Sequence, residues 1–148
     1  MALDQFDNAP AYNFSVTIDG VQMPLVMEVS GVKMEVDKIE AKQQVAADGK
    51  YVARQIPGRG KTGEITITRG LTDSRTVVDW LKTVMDGDLT GARKTAAVNI
   101  LDHKGETIKT FNFTNCWVRS VEVNSLKAGS TEQATEKAII CFDESSVS

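Results

Sequence analysis

The sequence predicts a mainly β domain, an antiparallel β-barrel or sandwich with one α-helix packed across an open end or edge. Apolar and polar residues alternate with period two in about eight segments. Gly, Asp and Asn clusters punctuate those segments where hairpins need turns. Only one stretch, Val77 to Met85, changes to the period of an amphipathic helix. At 148 residues the chain suits one well-filled core better than two. Residues 1–148 therefore read as a single domain, with a flexible N-terminal arm over 1–11 and a polar, frayed tail over 143–148.

Composition narrows the function classes. Charged residues make up 25% and apolar ones 41%, ordinary values for a folded soluble protein. A net charge of −3 gives no basic footprint for sequence-specific nucleic-acid binding and no pull toward anionic membranes. No apolar run reaches membrane-span length, so no membrane insertion by this chain is expected. Met1 to Ala11 carries Asp4 and Asp7 and no apolar run, unlike a signal peptide, so cytosolic synthesis is expected. Cys116 and Cys141 lie among apolar strand residues and read as buried free thiols.

In order, Tyr12, Phe14, Val16 and Ile18 share one face of a strand that ends at the Asp19-Gly20 turn. The return strand, about Val21 to Val29, contains Pro24, which suggests an edge. Ser30-Gly31 interrupts it, and Val32 to Ala41 resumes with Lys33, Glu35 and Asp37 opposite Met34 and Val36. Lys42 to Arg54 loses all period and reads as a long polar loop. Thr72 or Asp73 can cap the helix, whose stripe is Val77, Leu81 and Val84, widened by Val78, Trp80 and Met85. Gly87 ends it. Asp88 to Lys94 reads as a turn. Ala96 to Ile100 and Ile108 to Phe113 flank a hairpin loop carrying His103, the only histidine. Cys116 to Val123 and Gln133 to Phe142 complete the strands.

The segment Gln55 to Leu71 needs separate treatment, because Gly60-Lys61-Thr62 looks like the end of a phosphate loop. Gln55 replaces the first glycine of that motif, and Pro57 removes an N–H donor. The residues after it, Gly63-Glu64-Ile65-Thr66-Ile67-Thr68-Arg69, alternate as a strand and offer no helix N-terminus to an anion. The stretch instead reads as a turn-rich, cationic lead-in to a strand. Glu35, Asp37 and Glu40, or Asp102 and Glu106, come without a histidine partner, nucleophile elbow or metal-ligand cluster. The expectation is a non-enzyme without cofactor or metal. Charges within the alternation at Lys33, Glu35, Asp37, Arg119, Glu122, Glu136 and Lys137 suit a sheet with one wet face.

Pro57-Gly58-Arg59-x-Lys61-x-Gly63-x-Ile65-x-Ile67-x-Arg69-Gly70-Leu71 resembles a segment of the phage tail tube protein family, the inner-tube subunits of contractile tails and injection systems. Further stretches follow in the family's order: Phe14-x-Val16-x-Ile18-Asp19-Gly20, Glu28 to Val36, Trp80, Arg93-Lys94, Val98 to Asp102 and Phe113-x-Asn115-x-Trp117. The likeness is close over residues 14–117 and loose beyond. A differing loop at Lys42 to Gly49, Val118 where a proline is common, and no His-Glu-Gly ending leave the lineage open.

The resemblance implies a structural subunit that forms homohexameric rings around a continuous inner β-barrel and stacks them into a hollow tube. Sheath contraction would drive that tube through a target envelope. Its partners would be further copies of itself, a sheath protein, the baseplate hub or spike, a tube cap or terminator, and a tape-measure protein, DNA or effector cargo in the lumen. Synthesis would be in the bacterial cytoplasm and assembly in a tail or injection particle. On the same resemblance, Lys42, Asp48, Lys50, Arg54, Arg59, Lys61, Arg93 and Lys94 are candidates for contacts between rings or to the sheath. Lys33, Glu35, Asp37, Arg119, Glu122, Glu136 and Lys137 are candidates for lining the lumen, on hairpins Leu25 to Ala41 and Cys116 to Phe142. The alternatives are a type VI secretion-like tube ring or, in a different class, a monomeric ligand-binding β-barrel.

Overall fold

In a computed structural model, residues 9–10, 12–44, 51–124, 126–129 and 131–148 are described. Ten strands and two helices occur among them. The strands are β1 (Phe14–Ile18), β2 (Val21–Gln22), β3 (Val26–Ser30), β4 (Val36–Gln44), β5 (Tyr51–Gly60), β6 (Gly63–Gly70), β7 (Lys94–Leu101), β8 (Thr107–Val123), β9 (Thr135–Phe142) and β10 (Glu144–Val147). The helices, α1 (Thr76–Met85) and α2 (Leu89–Ala92), lie between β6 and β7.

Alternation with one buried face produces two antiparallel layers, as the sequence predicts. In one, β1 pairs with β2 and β7, and β7 with the first half of β8. In the other, the order is β8, β9, β6, β3. A single strand of 17 residues, β8, serves both layers, where the sequence suggested two strands. Asn115 at φ 52° marks its bend, and the pairing register shifts again between Val118 and Ser120. The inward faces close on Val16, Ile65, Ile67, Phe113, Val118 and Ile140, all essentially fully buried. Each contributes about 1.5–3 kcal/mol by leaving water. Phe113 and Phe142 meet at 4.6 Å between ring centroids, tilted by 50°.

Helix α1 packs on β8 and buries Val77 and Trp80. The Trp80 indole N–H donates to the Ala92 carbonyl, which makes this ring a core anchor. Met85 lies outside the buried stripe and is exposed. Neither expected cap operates: the helix begins at Thr76, and its N-cap, Arg75, makes no side-chain capping bond. The segment read as a turn after Gly87 contains α2, capped by Asp88 accepting from the Gly91 N–H.

Other departures have local causes. Pro24 and Leu25, the latter at φ 60°, split the expected second strand into β2 and β3. Leu25 to Ala41 is not a hairpin, because β3 pairs with β6 whereas β4 pairs with β5. The chain leaves the sheet at Gly31, where φ is +81° and a Cβ would stand 2.6 Å from the Glu64 carbonyl oxygen. Lys33 and Glu35 fall in the irregular stretch before β4, not on a strand. The segment read as a loop from Lys42 to Arg54 belongs largely to the β4–β5 ribbon, with residues 45–50 outside the described set. The presumed cationic turn at Pro57 to Gly60 is the end of β5. Pro57 sits beside a register irregularity on this two-stranded ribbon, where a missing N–H is tolerated. The tail from Glu144 to Val147 pairs with β8 instead of fraying. The flexible arm expected over 1–11 lies mostly outside the described residues.

Candidate functional site

The outer face of the β8–β9–β6–β3 layer carries the most ordered array of polar side chains. Directly opposed residues on antiparallel strands share a face, so the register places them in rows. One row is Glu28, Thr68, Lys137 and Glu122; the next is Ser30, Thr66, Ile139 and Ser120. The third is Glu64, Cys141 and Trp117. Two exposed ion pairs cross it: Arg119 Nη1 donates to Glu64 Oε1 at 2.8 Å, and Lys137 Nζ lies 3.7 Å from Glu122 Oε1.

Arg119, Glu122 and Lys137 thus come together on this face, as the wet-face reading expected. Glu136 does not. It points inward, 3% exposed, with its Oε2 3.5 Å from Arg69 Nη2. Strand alternation makes this unavoidable, since Lys137 takes the outer position. As a lumen candidate Glu136 is therefore corrected to a buried structural residue. Sequence reasoning missed Glu28, Ser30, Glu64, Thr66 and Thr68; the Glu-x-Thr-x-Thr alternation was the signal available for the last three.

A second group gathers where the ribbon leaves the domain. Glu35 stands between Lys33 at 3.3 Å and Lys61 at 3.8 Å, and the Lys61 N–H donates to the Glu35 carbonyl. Arg59 and Lys61 join Met34, Glu35, Val36, Asp143 and Glu144 around an open groove of about 640 Å³. Asp37 packs against Gly58, where a Cβ would stand 3.0 Å from the Asp37 carbonyl oxygen. Arg54 is exposed on β5 opposite Ala41. The ribbon also exposes Val36, Ile39 and Ile56. Lys42 lies on β4 without a described side chain, and Asp48 and Lys50 fall outside the described residues. Arg93 and Lys94 stand apart at the α2–β7 junction, with Lys94 Nζ 5.6 Å from the Trp80 ring centroid.

The thiols differ in setting. Burial pushes the Cys116 thiol up to about 12. Cys141 is only half-buried, against the expectation of two buried thiols; burial and then the Glu64 carboxylate raise it. His103 is exposed on its loop. Among the described residues no cluster of His, Cys, Asp and Glu could hold a metal, and no helix is long and apolar enough to cross a membrane.

Solved structures share this fold. The chain is 21% identical, with a TM-score of 0.78, to a chain of the anti-feeding prophage cap (AFP tube terminating cap), covering 100% of this chain and 95% of that one. A chain of the PVC sheath-tube complex in the extended state, from an extracellular contractile injection system, is 21% identical. Its TM-score is 0.73, covering 97% of this chain and 93% of that one. Hcp1 from Flavobacterium johnsoniae is 22% identical at a TM-score of 0.55, covering 92% and 94%. No curated protein matches the sequence. The family model for the T4-like virus tail tube protein gp19 matches residues 10–146, nearly the whole sequence, so this chain belongs to the T4-like tail tube protein family.

Proposed function

We propose that this protein is the structural subunit of the inner tube of a contractile phage tail or phage-like injection system, closing into hexameric rings that stack around a bore. The observation that carries the reading is the β8–β9–β6–β3 layer. Among the described residues, β3 has a strand partner only in β6, and Trp117–Val123 of β8 only in β9. The layer therefore ends in two open edges, each with unpaired backbone groups. Joining the edges of neighbouring copies satisfies both, and six copies of four strands give roughly two dozen, beyond the 16–18 at which barrels enclose an aqueous channel. The dry face is already committed to the core, so the polar face turns toward the bore.

Glu28, Glu64 and Glu122 would then face Lys137 and Arg119 on each copy, leaving the wall slightly acidic. Such a wall gives a polyanion or folded protein no deep electrostatic trap as it passes. In this reading the exposed ribbon and the Lys33–Glu35–Lys61 group would supply contacts to the next ring, and the Arg93/Lys94 corner charge to a sheath; their exposure and charge support it. Baseplate, cap and cargo contacts follow from membership of such a particle. The rival of a monomeric ligand-binding barrel fits poorly, because Ile65, Ile67, Val118 and Ile140 fill the space between the layers.

Electron microscopy of the purified protein at high concentration tests the reading. Rings or tubes with a central bore are expected, and a monodisperse monomer at millimolar concentration overturns it. Deletion within Lys42–Lys50 is expected to leave rings but abolish tubes; normal tubes from that variant remove the ribbon from the inter-ring role.

A further inference from the structure

The β8–β9–β6–β3 layer has two unlike ends. Val26, Gly70, Thr135 and Val123 lie at one, and Ser30, Gly63 and Phe142 at the other. The β4–β5 ribbon is rooted at the second end, because β4 follows β3 beyond Ser30 and β5 precedes β6 before Gly63. Among the described residues, β4 and β5 pair only with each other.

Both ends expose apolar side chains. On the ribbon, Ile39 and Ile56 are directly opposed and so share a face, and both are exposed. The opposite ribbon face carries the Lys38–Glu40 ion pair at 3.9 Å. A two-stranded ribbon on its own is marginal in water, and the Ile39/Ile56 face of this one is uncovered. At the far end of the layer, exposed Leu25, Met27 and Leu71 line a groove of about 470 Å³ with Gly70, Gln133 and Ala134. Leu25 is 62% exposed at φ 60°, a costly conformation for a bulky residue. The backbone holds the groove in place. The Gly70 N–H donates to the Leu25 carbonyl at 3.1 Å, and the Leu71 N–H to the Ala134 carbonyl at 3.0 Å. Strain is thus maintained at a leucine that contributes little burial to a lone copy. Charge is complementary as well: Arg54 follows Ile56 on the same ribbon face, and exposed Asp73 adjoins Thr72 of the groove.

We propose that this groove receives the Ile39/Ile56 face of the ribbon of a second copy stacked end to end. Complementary patches at opposite ends of one chain make a heterologous contact, so each copy offers its ribbon to one neighbour and its groove to the other. Ile39 stands beyond Val36, the first residue of β4, by roughly 10 Å along the ribbon, which carries it toward the copy at that end. The stacking direction rests on the tube reading; the groove and its occupant go beyond it.

Electron microscopy of full-length Leu71→Glu and Ile39→Glu tests the pairing. Each should melt near wild type by circular dichroism and still form rings, with tube yield reduced tenfold or more. Met85→Glu, also at an exposed apolar position, should form tubes as wild type does. A short bismaleimide added to tubes of Ile56→Cys with Leu71→Cys, in a Cys141→Ser background, should give a ladder of linked chains under denaturing conditions. Ile56→Cys with Met85→Cys should give none. If Leu71→Glu fails to fold, the ladder decides. Normal tubes from Leu71→Glu, or tubes without a ladder, overturn the groove assignment and leave the tube reading standing. Loss of rings from folded Leu71→Glu gives the groove to a neighbour within the ring and also overturns it. A wild-type protein that stays monomeric overturns the tube reading and this pairing together.

Discussion

Cys116 links the core to alkaline pH. Its thiol is pushed from an ordinary 9.0 to about 12, so between those values the unfolded chain releases a proton that the folded chain retains. The unfolded state then binds fewer protons, and stability falls as pH rises, by up to about 1.4 kcal/mol per pH unit. Cys116→Ala should flatten that slope, although its cavity lowers stability at every pH; urea midpoints across the alkaline range read both effects. The Arg69–Glu136 pair gives a second residue-scale prediction. Glu136→Leu leaves a buried cation unmatched and should cost about 3–5 kcal/mol, while Arg69→Met with Glu136→Leu should recover most of it. A double-mutant cycle by urea unfolding measures this. At this scale the sequence was legible for Trp80 and Cys116, whose apolar neighbours fixed their place. It was misleading for Glu136, since Glu136-Lys137 offers two adjacent charges and alternation alone does not say which faces inward.

Among the elements, β6 was the easiest to anticipate, because Glu64 to Thr68 alternate strictly and one face is buried. The β4–β5 ribbon was legible only over Val36 to Ala41 and was lost from Lys42 onward, for the same physical reason. Where both faces of a ribbon meet solvent, burial imposes no period on the side chains, and backbone pairing leaves little trace in composition. The bend in β8 was equally hidden, since Asn115 can supply a left-handed residue without announcing it. Gly31 tests how closely the layers are joined where the chain turns away. Gly31→Ala adds a Cβ against the Glu64 carbonyl at φ +81° and should cost on the order of 1–3 kcal/mol in thermal or urea unfolding. The short helix α2 depends on its cap, so Asp88→Ala should lose about 1 kcal/mol by the same measurement.

For the whole molecule, folding and assembly should separate under one substitution. Lys61 is exposed and meets Glu35 at 3.8 Å, a surface pair worth less than about 1 kcal/mol. Lys61→Glu should therefore melt close to wild type by circular dichroism yet abolish tube polymerisation under the microscope; normal tubes would remove Lys61 from any role between rings. The mainly β class was readable because burial writes itself into alternation, and the family because its segments fall in order along residues 14–117. The open edges of the four-stranded layer were not readable, since an unpaired strand edge has no side-chain signature. A further consequence lies in β8. One uninterrupted backbone runs from the layer of β1, β2 and β7 into the layer with the open edges, so the two are coupled by peptide bonds as well as by packing. A thrust along a stack of such subunits would pass from one layer to the other through covalent chain, and shearing them apart would first require this strand to unzip from its neighbours on both sides.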